Sequence, residues 1–386
     1  KLLDAHADGI NYYLYKHPAV KSEVIKKYKP WYHLMWTDGS VSPTRTGGVK
    51  REDVYKMYGA GQIEIPTSTT YSYPKMNAID ENGGSNGFAI APKHSKNGNA
   101  LLYINPHVPF YFRSEMHMVS EEGLNAYGAV TWGQMFIYQG FNAHLGWMHT
   151  SSYADVADIF EEKIIQKNDS LFYEYEQQLF PVQIKKIPIK YYGDNNGENI
   201  NTKIFTTYRT HHGPIMGSRN GKWISLRENN RSLHALLECW TRTKAKNLTE
   251  YKKALSLLAN NSNNTVYADA NGNIAYWHGN FMPKRNPKYD YTRPVDGSIK
   301  ETDWQGIHPL NEIVQSINPE NGWLQNCNAT PFTVAGKNSP DANNYPAYMA
   351  PDGENARGLN AVRLLSQIDK LDLNDLIKLG YNKHLT

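Results

Sequence analysis

The residues best suited to chemistry in this sequence are Gly83-Gly84-Ser85-Asn86-Gly87. Two glycines ahead of a hydroxyl residue let the backbone adopt left-handed or strained conformations beside it. A strained peptide bond before Ser85 is open to attack by its own Oγ, and scission after Gly84 would leave a chain beginning at Ser85. The freed α-amine has an ordinary pKa of about 7.7–8.0, so a good fraction is a neutral base near neutral pH. Hydroxyl and amine on one residue then form a nucleophile with its own general base. Taken alone, the segment also reads as a turn, because Gly, Ser and Asn are the commonest loop residues.

Further motifs follow in order. Ser85-Asn86-Gly87-Phe88-Ala89-Ile90-Ala91 leads through a hairpin to Tyr103-Ile104-Asn105-Pro106-His107. Gly146-Trp147-Met148-His149-Thr150-Ser151 runs on to Asp155-Val156-Ala157-Asp158. Leu324-Gln325-Asn326-Cys327-Asn328-Ala329-Thr330-Pro331 precedes Asn355-Ala356-Arg357 and its helix. With these motifs the sequence resembles the penicillin acylase family of N-terminal-nucleophile hydrolases. Asn-Pro-His makes it similar in particular to the branch of acyl-homoserine lactone and cephalosporin acylases.

The resemblance implies a four-layer αββα fold and an amide hydrolase that takes N-acyl substrates. Ser85 would be the nucleophile, and His107 would orient its amine and hydroxyl. The backbone N–H of Ser151 and the side-chain amide of Asn328 would hold the oxyanion, since an amide donates without carrying charge. Arg357 would brace the amine and the asparagine. Val108 and Thr150 would line the acyl pocket. Asp155 and Asp158 match carboxylates that bind calcium in some members. The expected third aspartate is missing after Tyr345-Pro346, and two carboxylates do not complete the oxygen shell of a hard cation. No organic cofactor is implied.

Plainer roles exist for each residue: a loop histidine, a strand entry, surface aspartates, an Asx-turn before proline, a solvated helix arginine. His211-His212 reads as a structural turn pair, because adjacent histidines do not converge easily on one ion. Residues 1–84 would be the end of a first chain plus linker, and 85–386 the truncated start of the catalytic chain. The two would remain together as an αβ heterodimer within one domain. Family members are exported, so the expected place is the periplasm or outside the cell. An N-acyl-homoserine lactone is the first substrate expected and a β-lactam side-chain amide the second. A carbohydrate-binding protein or glycosidase, suggested by abundant Trp and Tyr, is the alternative from another class, and a non-catalytic assembly protein a third.

The elements that must position these groups are readable in outline. Hydrophobic residues are 40% and charged residues 20% of 386, ordinary for a folded core. The net charge of +4 and the lack of a dense basic block argue against nucleic acid, and no run of about 18 apolar residues suggests a membrane span. Cys239 and Cys327 lie in no metal spacing, and a disulfide between them stays open. Patterning predicts helices over Ala5–Tyr15, Val49–Tyr58, Asn247–Leu258 (with Asn247 and Glu250 as a capping box), Asn355–Ile368 and Leu373–Leu379. Strands are expected over Gly87–Ala91, Ala100–Ile104, Tyr111–Val119, Gln134–Tyr138, Ile159–Ile165, Val182–Tyr192, Lys222–Leu226 and Val266–Trp277, the last turning at Asn271-Gly272. Thr67–Tyr73 reads as strand or loop, and Asp80–Gly84 as a break. Strands in the middle with helices before and after make an α+β protein.

Overall fold

Trp147 and Met148 are neighbours and both fully buried, yet they belong to different cores. Successive side chains of a strand leave opposite faces, so this strand must be covered on both sides. The computed structural model shows how, describing residues 1–22, 25–35, 48–59, 84–108, 113–131, 134–192, 200–229, 232–260 and 263–384. The expected Thr67–Tyr73 element, and the break up to residue 83, lie outside the described residues.

The helices are α1 (Leu2–Lys16), α2 (Arg51–Tyr58), α3 (Leu233–Arg242), α4 (Leu248–Leu255), α5 (Ala356–Leu365) and α6 (Leu373–Gly380). The first strands are β1 (Gly84–Ile90), β2 (Leu101–His107), β3 (Arg113–Ser120), β4 (Leu124–Thr131), β5 (Gln139–Asn142) and β6 (Leu145–Ser151). Next come β7 (Asp158–Glu162), β8 (Ile164–Lys167), β9 (Ser170–Tyr175), β10 (Gln178–Pro181), β11 (Gln183–Tyr192), β12 (Ile200–Arg209), β13 (Ile215–Arg219) and β14 (Lys222–Arg227). The last are β15 (Asn263–Asp269), β16 (Ile274–Trp277), β17 (Val295–Asp296), β18 (Gln315–Ile317) and β19 (Trp323–Asn326).

Two sheets form the centre. One has the order β19-β1-β2, the other β18-β16-β15-β6-β5-β4-β3. Ala89, Met148, Val266, Tyr276 and Leu324 fill the space between them. The opposite face of the small sheet, through Phe88, Ile90 and Trp323, packs on Ala361 and Leu365 of α5 and Leu376 of α6. The opposite face of the large sheet, through Trp147, Tyr267 and Trp277, packs on Tyr251 and Leu255 of α4 and Trp240 of α3. Helices, sheet, sheet and helices therefore stack as αββα, and the inner strands are apolar on both faces for that reason. Outside the stack lie the sheet β13-β14-β7-β17, the sheet β10-β9-β8 and the ribbon β11-β12. Pro188 lies in that ribbon, where each strand has one unpaired edge. Helix α2 joins the β13-β14 face through Met57, which packs with Ile215 and Trp223, and through the buried Asp53–Arg219 ion pair at 2.6 Å.

The structure corrects two expectations and answers one open question. Gln134–Tyr138 is not a strand; Phe136, Ile137 and Tyr138 are buried in an irregular approach to β5. Only half of the capping box at α4 forms: Asn247 accepts from the N–H of Glu250, but the Glu250 carboxylate takes the N–H of Lys246. The disulfide left open between Cys239 and Cys327 does not form, and Cys327 is buried beneath α5 and α6. Among the described residues no helix is long and apolar enough to cross a membrane.

Candidate active site

Strand β1 pairs with β19 only from Gly87 onward, opposite Asn326. Its first residues therefore lack a main-chain partner on that edge, and a side chain of the turn after β19 takes its place. Asn328 adopts a left-handed conformation with φ 60°, which Asn tolerates better than most residues. Its Oδ1 accepts the N–H of Ser85 at 2.6 Å and a guanidinium N–H of Arg357 at 3.1 Å. Both partners can only donate, which fixes the amide with its oxygen toward them. Its Nδ2 donates to the carbonyl of Ser151 at 3.0 Å, leaving one of its two N–H bonds for another acceptor.

Arg357 also donates to the carbonyl of Ser85 at 3.1 Å and to Asn86 Oδ1 at 2.7 Å. It stands in the first turn of α5, and the cap of that helix is tied to the same turn. Asn355 accepts from the N–H of Gly358 at 2.9 Å, while its Nδ2 donates to the carbonyls of Cys327 and Asn328. A Cβ on Gly358 would meet the Cβ of Ala329 at 2.8 Å, so this glycine permits the close approach of helix to turn.

Ser85 is buried, and its Oγ donates to the carbonyl oxygen of Gly84 at 2.7 Å. Hydroxyl and preceding carbonyl are thus adjacent in the uncut chain. Gly84 has φ 148°, and a Cβ there would strike Asn328 Oδ1 and lie 2.8 Å from Arg357 Nη2. Glycine is required at this position by both torsion and space. The N–H and C=O of Ser85 point to the β19 side, so Pro106, opposite Ser85 in β2, has no ladder bond to donate. Its missing N–H costs nothing here.

His107 lies across from Gly84, one position off Ser85, and shares the face of Gly84 rather than that of the Ser85 hydroxyl. Among the described residues no hydrogen bond joins its imidazole to Ser85 or Asn328. Partial burial, and then the charge of Arg357, lowers its pKa. The orienting role expected for its ring is therefore absent in this geometry. Val108, next along, is exposed.

Thr150 is also placed differently from the expectation. It is 0% exposed, and its hydroxyl donates to Asn326 Oδ1 at 2.5 Å, so it supports the site from beneath instead of lining a pocket. Asn264 Nδ2 reaches Thr150 Oγ1 at 3.1 Å, and Asn326 Oδ1 accepts the N–H of Asn328 at 3.0 Å. From Asn326 a buried chain runs through Tyr276 OH (3.4 Å) to His278 Nδ1 (2.9 Å), and His278 Nε2 lies 3.1 Å from Asp352. Burial, then Asp352, pushes the Tyr276 phenol well up, so it remains a donor to His278. Sequence reading assigned no role to Asn264, Asn326, Tyr276, His278 or Asp352; the doubled asparagine of the Asn-x-Asn motif was the one signal available.

Asp155 and Asp158 do not suit a dication. Arg285 is inserted between them: its Nε donates to Asp158 Oδ2 at 2.8 Å, and Nη2 lies 3.2 Å from Asp155 Oδ1. Trp304 Nε1 donates to the same Asp158 oxygen at 2.5 Å. The guanidinium stands where a cation would have to sit, and its charge balances the two carboxylates instead. Burial pushes both carboxyls up, and Arg285 pulls them back. His211 and His212, expected to be turn residues alone, do converge, with ring centroids 3.8 Å apart beside Asp303.

A four-layer αββα stack with a serine at the head of an inner strand is the architecture of N-terminal-nucleophile hydrolases. The chain belongs to the penicillin amidase family, whose model matches residues 1–386. It is 28% identical over 276 residues to penicillin G acylase of Escherichia coli, covering 64% of this chain and 30% of that protein. It is 26% identical over 269 residues to acyl-homoserine lactone acylase QuiP of Pseudomonas fluorescens, covering 66% and 31%. The solved thermostable penicillin G acylase from Alcaligenes faecalis superposes with a TM-score of 0.62 at 24% identity, over 76% of this chain and 51% of that one. The chain spans about a third of the length of these curated relatives. The family match decides against the glycosidase and carbohydrate-binding alternative.

Proposed function

We propose that the chain is part of an amide-cleaving acylase whose nucleophile is Ser85, freed by scission after Gly84. One observation carries this reading: Asn328 and Arg357 together hold the nitrogen and the carbonyl of Ser85, the two main-chain groups of a serine whose hydroxyl abuts the preceding carbonyl. In maturation, Oγ attacks the Gly84 carbonyl carbon, its proton passes to the departing nitrogen, and the C–N bond breaks to leave an ester. The amine of Ser85 is free from that point, and water then hydrolyses the ester to release the Gly84 carboxylate and restore the Ser85 hydroxyl.

In turnover the amine takes the Oγ proton as Oγ adds to the substrate carbonyl. The second N–H of Asn328 Nδ2 and the backbone N–H of Ser151 stabilise the oxyanion. A donor of this kind typically contributes about 2.7–4 kcal/mol to the transition state. The proton passes to the leaving amine, and water releases the carboxylic acid from the acyl-serine. Asn328 Oδ1 keeps the freed amine in place throughout.

The substrate reading is an N-acyl-homoserine lactone first and a β-lactam side-chain amide second. The Asn-Pro-His motif and the similarity to QuiP support the first, and the similarity to penicillin G acylase supports the second. The same reading includes an αβ pair made from one precursor and export from the cytoplasm. The test is hydrolysis by the whole protein of lactones of varied acyl length beside a penicillin. Acid release by wild type and none by Ser85→Ala is expected. Equal activity in Ser85→Ala removes the proposal.

A further inference from the structure

Outside this site, the turn between β12 and β13 brings His211 and His212 to Asp303. We infer that these three side chains form a binding site for one first-row transition dication of the zinc class. His212 Nε2 lies 2.9 Å from Asp303 Oδ1, and His211 Nε2 lies 3.9 Å from the same oxygen. All three ligand atoms fall within 4.8 Å of one another. Metal–ligand bonds of about 2.0–2.1 Å at tetrahedral angles separate ligand atoms by about 3.3 Å, so small side-chain adjustments suffice. Two imidazoles and a carboxylate are ligands that zinc accepts, with water as the fourth.

The surroundings are those of a held ligand set. The other ring nitrogen of His212, Nδ1, is 2.9 Å from Glu162 Oε1, which also accepts from Thr210 Oγ1 and Ser225 Oγ, both at 2.6 Å. A carboxylate on the far nitrogen fixes the ring and leaves the near nitrogen to the ion. Phe160 stacks on His212 at 3.9 Å with rings 6° from parallel. Tyr175 donates to Asp303 Oδ2 at 2.7 Å, leaving Oδ1 for the metal. His211 has a third of its side chain exposed, which gives the ion a way in. The ion takes the place of the proton between His212 Nε2 and Asp303, and that proton leaves to solvent. Bound there, it clamps β7, the turn after β12 and the segment before Trp304.

The test uses the whole protein stripped of metal by chelator and titrated with zinc chloride by calorimetry, then with cobalt(II) by absorption. Wild type should bind one zinc at this site and show the intense visible bands of tetrahedral cobalt. His211→Ala and Asp303→Asn should each lose that equivalent, and Glu162→Gln should weaken it about 10–100-fold. His211→Ala removes a partly exposed ring, so it keeps the test open if Asp303→Asn fails to fold. No stoichiometric zinc, binding that His211→Ala leaves unchanged, or only the weak bands of octahedral cobalt would overturn the inference. Histidines held by carboxylates alone would then explain the cluster.

Discussion

Replacing Arg285 by Met removes a cation while keeping an apolar stem of similar length. The side chains of Arg285 and Asp158 are each 1% exposed, and that of Asp155 is 22% exposed. Removing one partner of a buried pair typically costs about 3–5 kcal/mol, because the other charge is left uncompensated. Asp158 can escape by taking a proton. Bringing a carboxyl from an ordinary pKa of about 3.9 to the protonated state at pH 7 costs about 4 kcal/mol. That bounds the charge part of the loss, so about 3–4 kcal/mol is expected at pH 7. The sign of the pH dependence follows. Without the guanidinium, the folded-state pKa of Asp158 rises further above its unfolded value. A carboxyl with a raised folded-state pKa loses stability as pH climbs from the unfolded to the folded value. The gap between variant and wild type should therefore widen as pH rises. Urea unfolding followed by tryptophan fluorescence, at several values between about pH 5 and pH 8, reads it. A loss below about 1 kcal/mol, the range of an exposed pair, or a gap that widens toward acid, would refute the assignment of Arg285 as the internal counter-ion.

Three other outcomes follow from the same contacts. Burial pushes Glu238 on α3 up to about 7, with Arg242 pulling the other way. Its contribution to stability should fall by up to about 1.4 kcal/mol per pH unit between about pH 4.3 and pH 7; Glu238→Gln should abolish that slope, and an unchanged slope would contradict the assignment. Thr150→Val should cost about 0.5–1.5 kcal/mol by removing the hydroxyl from Asn326, with KM unchanged across acyl lengths. A KM that shifts with acyl length would instead return Thr150 to the pocket wall. Gly84→Ala should leave a folded but poorly cut precursor, since the added Cβ meets Asn328 Oδ1 and Arg357 Nη2 and pushes the Gly84 carbonyl and these two supports out of their places around Ser85. Maturation at the wild-type rate, followed by intact mass, would show that the close approach of Gly84 is irrelevant to cleavage.

The hairpin of β1 and β2 and the turn before β16 were legible because alternation and Asn-Gly turns act over neighbouring residues. The turn holding Asn328 and the arginine of α5 were legible as motifs, and their meeting across the fold only through the family resemblance, because no local pattern links positions 29 residues apart. Arg285 escaped notice because its partners lie 127 to 130 positions away, and nothing local marks an arginine for burial. Helix α3 was missed because its buried side carries Glu238 and Arg242 beside Leu236, which breaks the apolar stripe. Gln134–Tyr138 misled for the opposite reason: a buried apolar run looks the same whether it is a strand or an irregular segment. His107 stood at the expected spacing, but strand register put its ring on the face away from the hydroxyl.

The account rests on where the chain is cut and on which atom that cut releases. Mapping the amino terminus of the catalytic chain in the mature whole protein, by sequencing and intact mass, measures this directly. The result expected is a chain beginning at Ser85, absent from Ser85→Ala, with amide hydrolysis appearing in step with the cut. A mature, active enzyme whose peptide bond between Gly84 and Ser85 is intact would contradict it.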